Sequence, residues 1–163
     1  EWLGPEAGCS TVLDYGCGSG VLALAALTLA GDPSLCAHAT DVNEAALVSA
    51  ARNAALNGLS ERLSLWMPWE LPRAVSAELG FANMLPGPLI SVAPELAKRT
   101  APGARLLLSG FRRVDLATVA RAYAEWFDVP AEPALEQEGW LALVCTRNNA
   151  AVNTGSQSAA AVE

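Results

Sequence analysis

The sequence predicts an α/β domain: an open, mostly parallel sheet with helices on both faces and an antiparallel last strand. Three observations lead there. Short β-type runs alternate with helical ones along the chain, the pattern that builds parallel sheets from strand–helix–strand units. The first such run, Thr11–Tyr15, ends in a glycine-rich turn that opens a helix. A final extended run over residues 140–146 pairs with another near residues 129–135 as an antiparallel edge.

Each element follows from local pattern. Residues 21–30 are apolar almost all round, which predicts a buried helix. Residues 35–41 form the second strand. Glu44–Leu56 is a helix closed by Asn57-Gly58, a normal C-terminal stop. Residues 62–66 alternate and make a third strand; residues 78–82 make a weaker fourth, interrupted by Gly80. Residues 89–99 are helical, with Pro94 bending or shifting the helix. Pro102-Gly103 introduces a fifth strand over residues 105–109, and an amphipathic helix follows over residues 114–127. No internal repeat is present.

These elements make one domain over residues 1–147. Residues 148–163 lack any apolar period and read as a solvated, disordered tail. With 163 residues, 52 % of them apolar, the chain can close a single core. Its formal charge of −7 argues against a nucleic-acid binder, which displays basic patches toward phosphates. Lys98-Arg99 and Arg112-Arg113 read instead as polar ends of core elements. An acidic surface suits a basic, lysine-containing protein segment as partner.

The four cysteines show neither C-x-x-C spacing nor the density of a disulfide scaffold, and no metal-ligand set is expected. Cys17, Cys36 and Cys145 read as small core residues, and a reducing, intracellular setting follows, cytoplasmic or organellar. The apolar run at 21–30 is too short to span a bilayer. The chain starts at Glu1, so any targeting sequence lies upstream of what is visible.

The chemistry is carried by Asp14-Tyr15-Gly16-Cys17-Gly18-Ser19-Gly20, a strand end, a glycine turn and a helix start. Open α/β sheets bind nucleotides there, outside the carboxyl ends of their strands. Glycines allow close approach of a ligand and positive φ, and the helix start offers N–H groups to an anion. The spacing is G-x-G-x-G rather than the G-x-G-x-x-G of dinucleotide folds, which disfavours a nicotinamide dehydrogenase. No Gly-Lys-Ser/Thr follows, which excludes a P-loop. Asp41 ends the second strand about 21 residues after Gly20, where a carboxylate accepts hydrogen bonds from ribose hydroxyls.

This combination resembles the seven-strand S-adenosylmethionine-dependent methyltransferases, a Rossmann-like fold. Residues 51–58, Ala-Arg-Asn-Ala-Ala-Leu-Asn-Gly, and residues 82–89, Ala-Asn-Met-Leu-Pro-Gly-Pro-Leu, are similar more narrowly to the PrmA family. The likeness covers roughly residues 11–147. Those enzymes methylate amines of large-subunit ribosomal protein eleven. A eukaryotic relative acts on lysine in the β subunit of electron-transfer flavoprotein, and a silent cofactor-fold binding module is a further alternative.

The resemblance implies S-adenosyl-L-methionine as cofactor and a protein lysine N-methyltransferase activity. It places cofactor contacts on the loop residues Asp14, Gly16, Cys17, Gly18, Ser19 and Gly20. Asp41 then holds the ribose, with Val42 beside it. Asn83 stands both at the cofactor and, as catalytic residue, at the incoming nitrogen. The family's N-terminal recognition domain, and the linker threonine that touches the cofactor, have no counterpart between Glu1 and Glu163.

Local roles compete with several of these assignments. Asp14 either touches the cofactor or caps the loop through nearby N–H groups. Asp41 either binds ribose or caps the following helix. Asn83 either meets the substrate or fixes a turn. Trp66 or Trp69 could stack on adenine or simply pack, and Glu70 could accept from the adenine amino group. Glu78 reads as structural, and His38, the single histidine, as packed.

Overall fold

The computed structural model describes residues 10–149, so Cys9 and the tail from residue 150 lie outside the described residues. The chain runs β1 (Thr11–Tyr15), α1 (Val21–Leu29), β2 (Cys36–Thr40), α2 (Glu44–Leu56), β3 (Leu63–Trp66) and β4 (Ala77–Asn83). It continues with α3 (Pro86–Ser91), α4 (Ala93–Arg99), β5 (Thr100–Arg112), α5 (Leu116–Tyr123), β6 (Phe127–Asp128), β7 (Leu135–Gln137) and β8 (Trp140–Arg147). One sheet holds them in the order β3-β2-β1-β4-β5-β8-β6, with β7 also on β8. Strands β1 to β5 pair in parallel, and β8 is antiparallel to β5, β6 and β7. The predicted mixed α/β sheet is therefore present.

Strand order reverses between β1 and β4, since β2 and β3 extend one way from β1 and β4 and β5 the other. That switch point opens a crevice at the carboxyl ends of the strands. Alternation along β1 splits the core in two. Val12 faces one cluster with Leu27 of α1 and Ala54 of α2. Leu13 faces the other, with Leu89, Leu96 and Tyr123 from α3 to α5. The Tyr123 hydroxyl donates to the Leu89 carbonyl at 2.7 Å, tying α5 to α3. Glu78 accepts from the backbone N–H groups of Ser10 and Thr11, which fastens the start of β1 to β4 and agrees with a structural role.

Several local expectations are corrected. The antiparallel partner of β8 is not one strand over residues 129–135 but two short ones that flank it, Phe127–Asp128 and Leu135–Gln137, because Pro130 and Pro133 lack the N–H a ladder needs. Gly80 does not interrupt β4; a Cβ there would lie 2.7 Å from Leu106 Cδ1, so its absence lets β5 pack closely. The interruption expected from Pro94 is present: the helix divides at Val92, leaving Pro94 in the first turn of α4, where its missing N–H costs nothing. Helix α1 buries Ala23, Leu24, Ala26 and Leu27 but leaves Val21 and Leu29 exposed, so it is one-sided despite its composition. Cys36, at the first position of β2, is exposed rather than a core residue, while Cys17 and Cys145 are buried. Among the described residues no helix is long and apolar enough to cross a membrane.

Candidate active site

The turn after β1 has the left-handed backbone its glycines permit: φ is 76° at Gly16, 54° at Gly18 and 79° at Gly20. Its path is fixed from both neighbours. The Gly16 and Cys17 amides donate to the Thr40 carbonyl at 2.8 and 2.9 Å, pinning the turn to the end of β2. The Gly18 amide donates to Asp41 Oδ2 at 2.9 Å. Asn53 Nδ2 donates to the Ser19 carbonyl at 3.0 Å, so the Ala51–Gly58 segment holds the loop from α2. At Gly20 a Cβ would approach Ala50 Cβ to 3.1 Å, which is why a glycine lets α2 sit this close.

Asp14 is 1 % exposed, and its Oδ2 accepts from the Ala23 amide at 3.0 Å. It thus caps the first turn of α1 from the strand, in place of a side-chain cap at Gly20. Burial raises its carboxyl pKa to about 7, with the Asp41 charge adding and the Ala23 hydrogen bond opposing. Burial likewise pushes the Cys17 thiol up to about 12, so it stands as a neutral thiol rather than a nucleophile.

Asp41 is freed from the helix-capping role. Asn43 is the N-cap of α2, its side chain accepting from the Ala45 amide at 3.0 Å. Asp41 Oδ1 accepts from the Asn43 amide and Oδ2 from Gly18, leaving the carboxylate at the wall of a cavity of about 410 Å3. Gly16, Val42, Pro68 and Met84 share that wall. Neither Trp66 nor Trp69 borders it. Trp66 donates from Nε1 to His38 Nδ1 at 3.1 Å and packs against the core; Trp69 is 73 % exposed. Glu70 accepts from the Met67 amide in a local turn.

Asn83 ends β4 opposite Ser109 of β5 and is exposed in a second cavity of about 510 Å3. Gly110 and Trp140 line the same space. The Arg112 guanidinium lies 4.6 Å over the Trp140 ring at its rim. Arg113, its neighbour, pairs with Glu136 at 2.6 Å, and Arg99 with Glu95 at 2.7 Å, so these cations serve local ion pairs. The two cavities share Met84 and Leu85. Sequence reasoning named neither of these as site residues, nor Gly110 and Trp140. The available signal was Gly110, a lone glycine just past the predicted fifth strand; it lies inside β5, where its φ of 89° and the nearness of the Met84 backbone exclude any side chain.

A loop-and-carboxylate cavity beside an asparagine cavity invites comparison with known proteins. The profile of the family described as ribosomal protein L11 methyltransferase (PrmA) matches residues 5–148. The chain belongs to that family. The ribosomal protein L11 methyltransferase of Pseudomonas paraeruginosa is 42 % identical over 143 residues, 86 % of this chain and 47 % of that protein. The chain thus spans about half the length of the curated relatives it matches. The crystal structure of a ribosomal protein L11 methylase from Lactobacillus delbrueckii subsp. bulgaricus superposes with a TM-score of 0.75 at 27 % identity, covering 87 % of this chain and 72 % of that one. An RNA methyltransferase from Salinibacter ruber, in complex with S-adenosyl-L-homocysteine, shares the fold at 15 % identity, with a TM-score of 0.65 over 91 % of this chain and 87 % of that one.

The PrmA loop of this chain fits a nucleoside cofactor on its own geometry. A cavity of about 410 Å3 is of small-molecule size, and a half-buried carboxylate stands at its wall. A Cβ built on Gly18 would meet nothing within 4 Å, so the turn leaves open space where a ligand can approach the backbone.

Proposed function

We propose that this domain transfers a methyl group from S-adenosyl-L-methionine to an amine, a lysine side chain, of a ribosomal protein of the L11 type. The observation that carries the proposal is the pair of cavities meeting at Met84 and Leu85, with Gly16 and Asp41 on one side and Asn83 on the other. When bound, the cofactor supplies a methyl group already activated by its sulfonium. The protein's task is then placement rather than nucleophilic catalysis.

Asp41 would accept hydrogen bonds from the ribose hydroxyls, and Val42 and Pro68 would give an apolar rest for the adenine. The turn that begins at Gly16, with the positive end of α1 behind it, would hold the methionine carboxylate. Asp14 acts beneath the loop, as the cap that holds it, and not as a ligand. A free lysine amine, with a pKa near about 10.4, must shed a proton before it can attack. The Asn83 side-chain carbonyl accepts an N–H of the neutral amine and turns its lone pair toward the methyl. Such alignment at near-attack distance is where the rate is gained. The formal charge of −7 favours a basic acceptor segment. A ribosomal acceptor also goes with an intracellular setting.

The test is calorimetric titration with S-adenosyl-L-homocysteine, together with transfer of labelled methyl groups to ribosomal protein L11 and mapping of the modified residue. Binding is expected of this domain, with weak transfer by the domain alone and methylation on lysine by the full-length protein. Binding without transfer to any ribosomal protein would leave a cofactor-binding module, and absence of binding would remove the cofactor reading.

A further inference from the structure

Met84 occupies an unusual position between two glycines. Its thioether sulfur packs on Gly16: a Cβ added there would lie 2.8 Å from Met84 Sδ. Its backbone packs on Gly110, where a Cβ would run into the Met84 carbonyl. Both glycines have positive φ, 76° and 89°, so neither accepts a side chain without strain. Met84 also donates its amide to the Ser109 carbonyl at 3.1 Å, continuing the β4–β5 ladder one residue past Asn83. It is half-buried and lines both cavities.

We infer that Met84 is a positioning residue that sets the donor-to-acceptor spacing, its side chain seated on the loop at Gly16 and its backbone on Gly110. The inference rests on the methyl-transfer reading above. Gly16, at the start of the glycine loop, lines the donor cavity, and Asn83 and Gly110 line the acceptor cavity. Met84 is in contact with both Gly16 and Gly110, so the separation of the two cavities is fixed through its side chain and main chain. Close packing makes this a rigid spacer, because a gap at either glycine forfeits contact and lets Asn83 drift. With Leu85, Met84 lines both cavities.

The experiment compares Met84→Ala, Met84→Leu and Gly110→Ala in the full chain by three readouts. These are calorimetry with S-adenosyl-L-homocysteine, single-turnover methylation of ribosomal protein L11, and thermal unfolding. In Met84→Ala, S-adenosyl-L-homocysteine affinity is expected to weaken modestly, because Met84 lines the donor cavity, while the single-turnover rate at saturating donor falls about tenfold or more, the signature of lost alignment. Leucine, close in volume, should restore the rate to within about threefold. Gly110→Ala, which pushes the Met84 backbone from the acceptor side, should show the same split. Parallel loss of affinity and rate in Met84→Ala, an unchanged rate, or failure of leucine to rescue a folded protein would each overturn the inference. Absence of S-adenosyl-L-homocysteine binding by the wild type would instead overturn the methyl-donor reading, and the inference with it.

Discussion

Asp41 and Gly18, separated by 23 positions in sequence, are joined by a 2.9 Å hydrogen bond from the Gly18 amide to Oδ2. The other oxygen, Oδ1, takes the Asn43 amide at 2.9 Å, so one carboxylate links the glycine loop to the entrance of α2. The same group is the proposed ribose acceptor. Its position is therefore held by the loop it helps to shape.

Substitution of Asp41 by alanine is expected to weaken S-adenosyl-L-homocysteine binding by about 1–3 kcal/mol, the range for lost hydrogen bonds to a charged group. The melting temperature should also drop, because two backbone donors lose their acceptor. Calorimetry and thermal unfolding on the same preparation separate the two effects. Unchanged affinity would remove Asp41 from the binding site.

The buried Asp14 gives the free protein a pH dependence with a definite sign. Its carboxyl group ionises near pH 7 when folded, against an ordinary value of 3.8, chiefly because burial penalises the charge. The folded chain therefore holds this proton more tightly than the unfolded chain. The resulting stability is fully present below about pH 4 and is lost as pH rises through about 7. Asp14→Asn keeps an acceptor for the Ala23 amide and removes the titration. Urea unfolding should show the variant gaining on wild type between about pH 4 and pH 7, by on the order of a few kcal/mol, and no further above that. A pH-independent difference would mean that the group does not titrate in this range.

Tyr123 offers a test of the second core cluster away from the site. It is wholly buried and its hydroxyl donates to the Leu89 carbonyl at 2.7 Å. Tyr123→Phe should cost about 1–2 kcal/mol of unfolding free energy, since a buried carbonyl loses its side-chain donor. Cofactor affinity should not change. A variant as stable as wild type would show that another donor replaces the hydroxyl.

The parts of this fold that sequence revealed are those written in contiguous residues. The strand–turn–helix around Gly16–Gly20 and the Asn57-Gly58 stop of α2 each depend on neighbours a few positions away. The α/β order and the place of Asp41 follow from the same local signals. The errors lie where distant segments decide. Gly80 looked like a strand breaker, yet it is the space that Leu106 fills. Cys36 looked like core, yet it falls at the exposed start of β2. For Trp66, stacking on adenine and simple packing stood open in the sequence, and His38 on the adjacent strand takes its indole N–H. The role of Met84 was invisible because its partners, Gly16 and Gly110, come from two other strand ends.

The remaining prediction concerns Asn83, which separates an amine methyltransferase from a binding module of the same fold. It is exposed at the carboxyl end of β4, in register with Ser109, and it borders the acceptor cavity but not the donor cavity. A ligand contact confined to the acceptor side should affect the chemical step more than cofactor binding. Asn83→Ala is therefore expected to leave S-adenosyl-L-homocysteine affinity within about threefold and to lower single-turnover methylation of ribosomal protein L11 by about tenfold or more, a loss of at least roughly 1.4 kcal/mol in the transition state. Asn83→Asp keeps an oxygen in place but adds a charge, which attracts the protonated, unreactive amine. It should tighten apparent acceptor binding while slowing transfer, so kcat and KM fall together. Measuring both constants for both variants distinguishes lone-pair orientation from simple turn formation. A turn-forming residue would lower melting temperature and cofactor affinity in step with the rate; an orienting one lowers the rate alone.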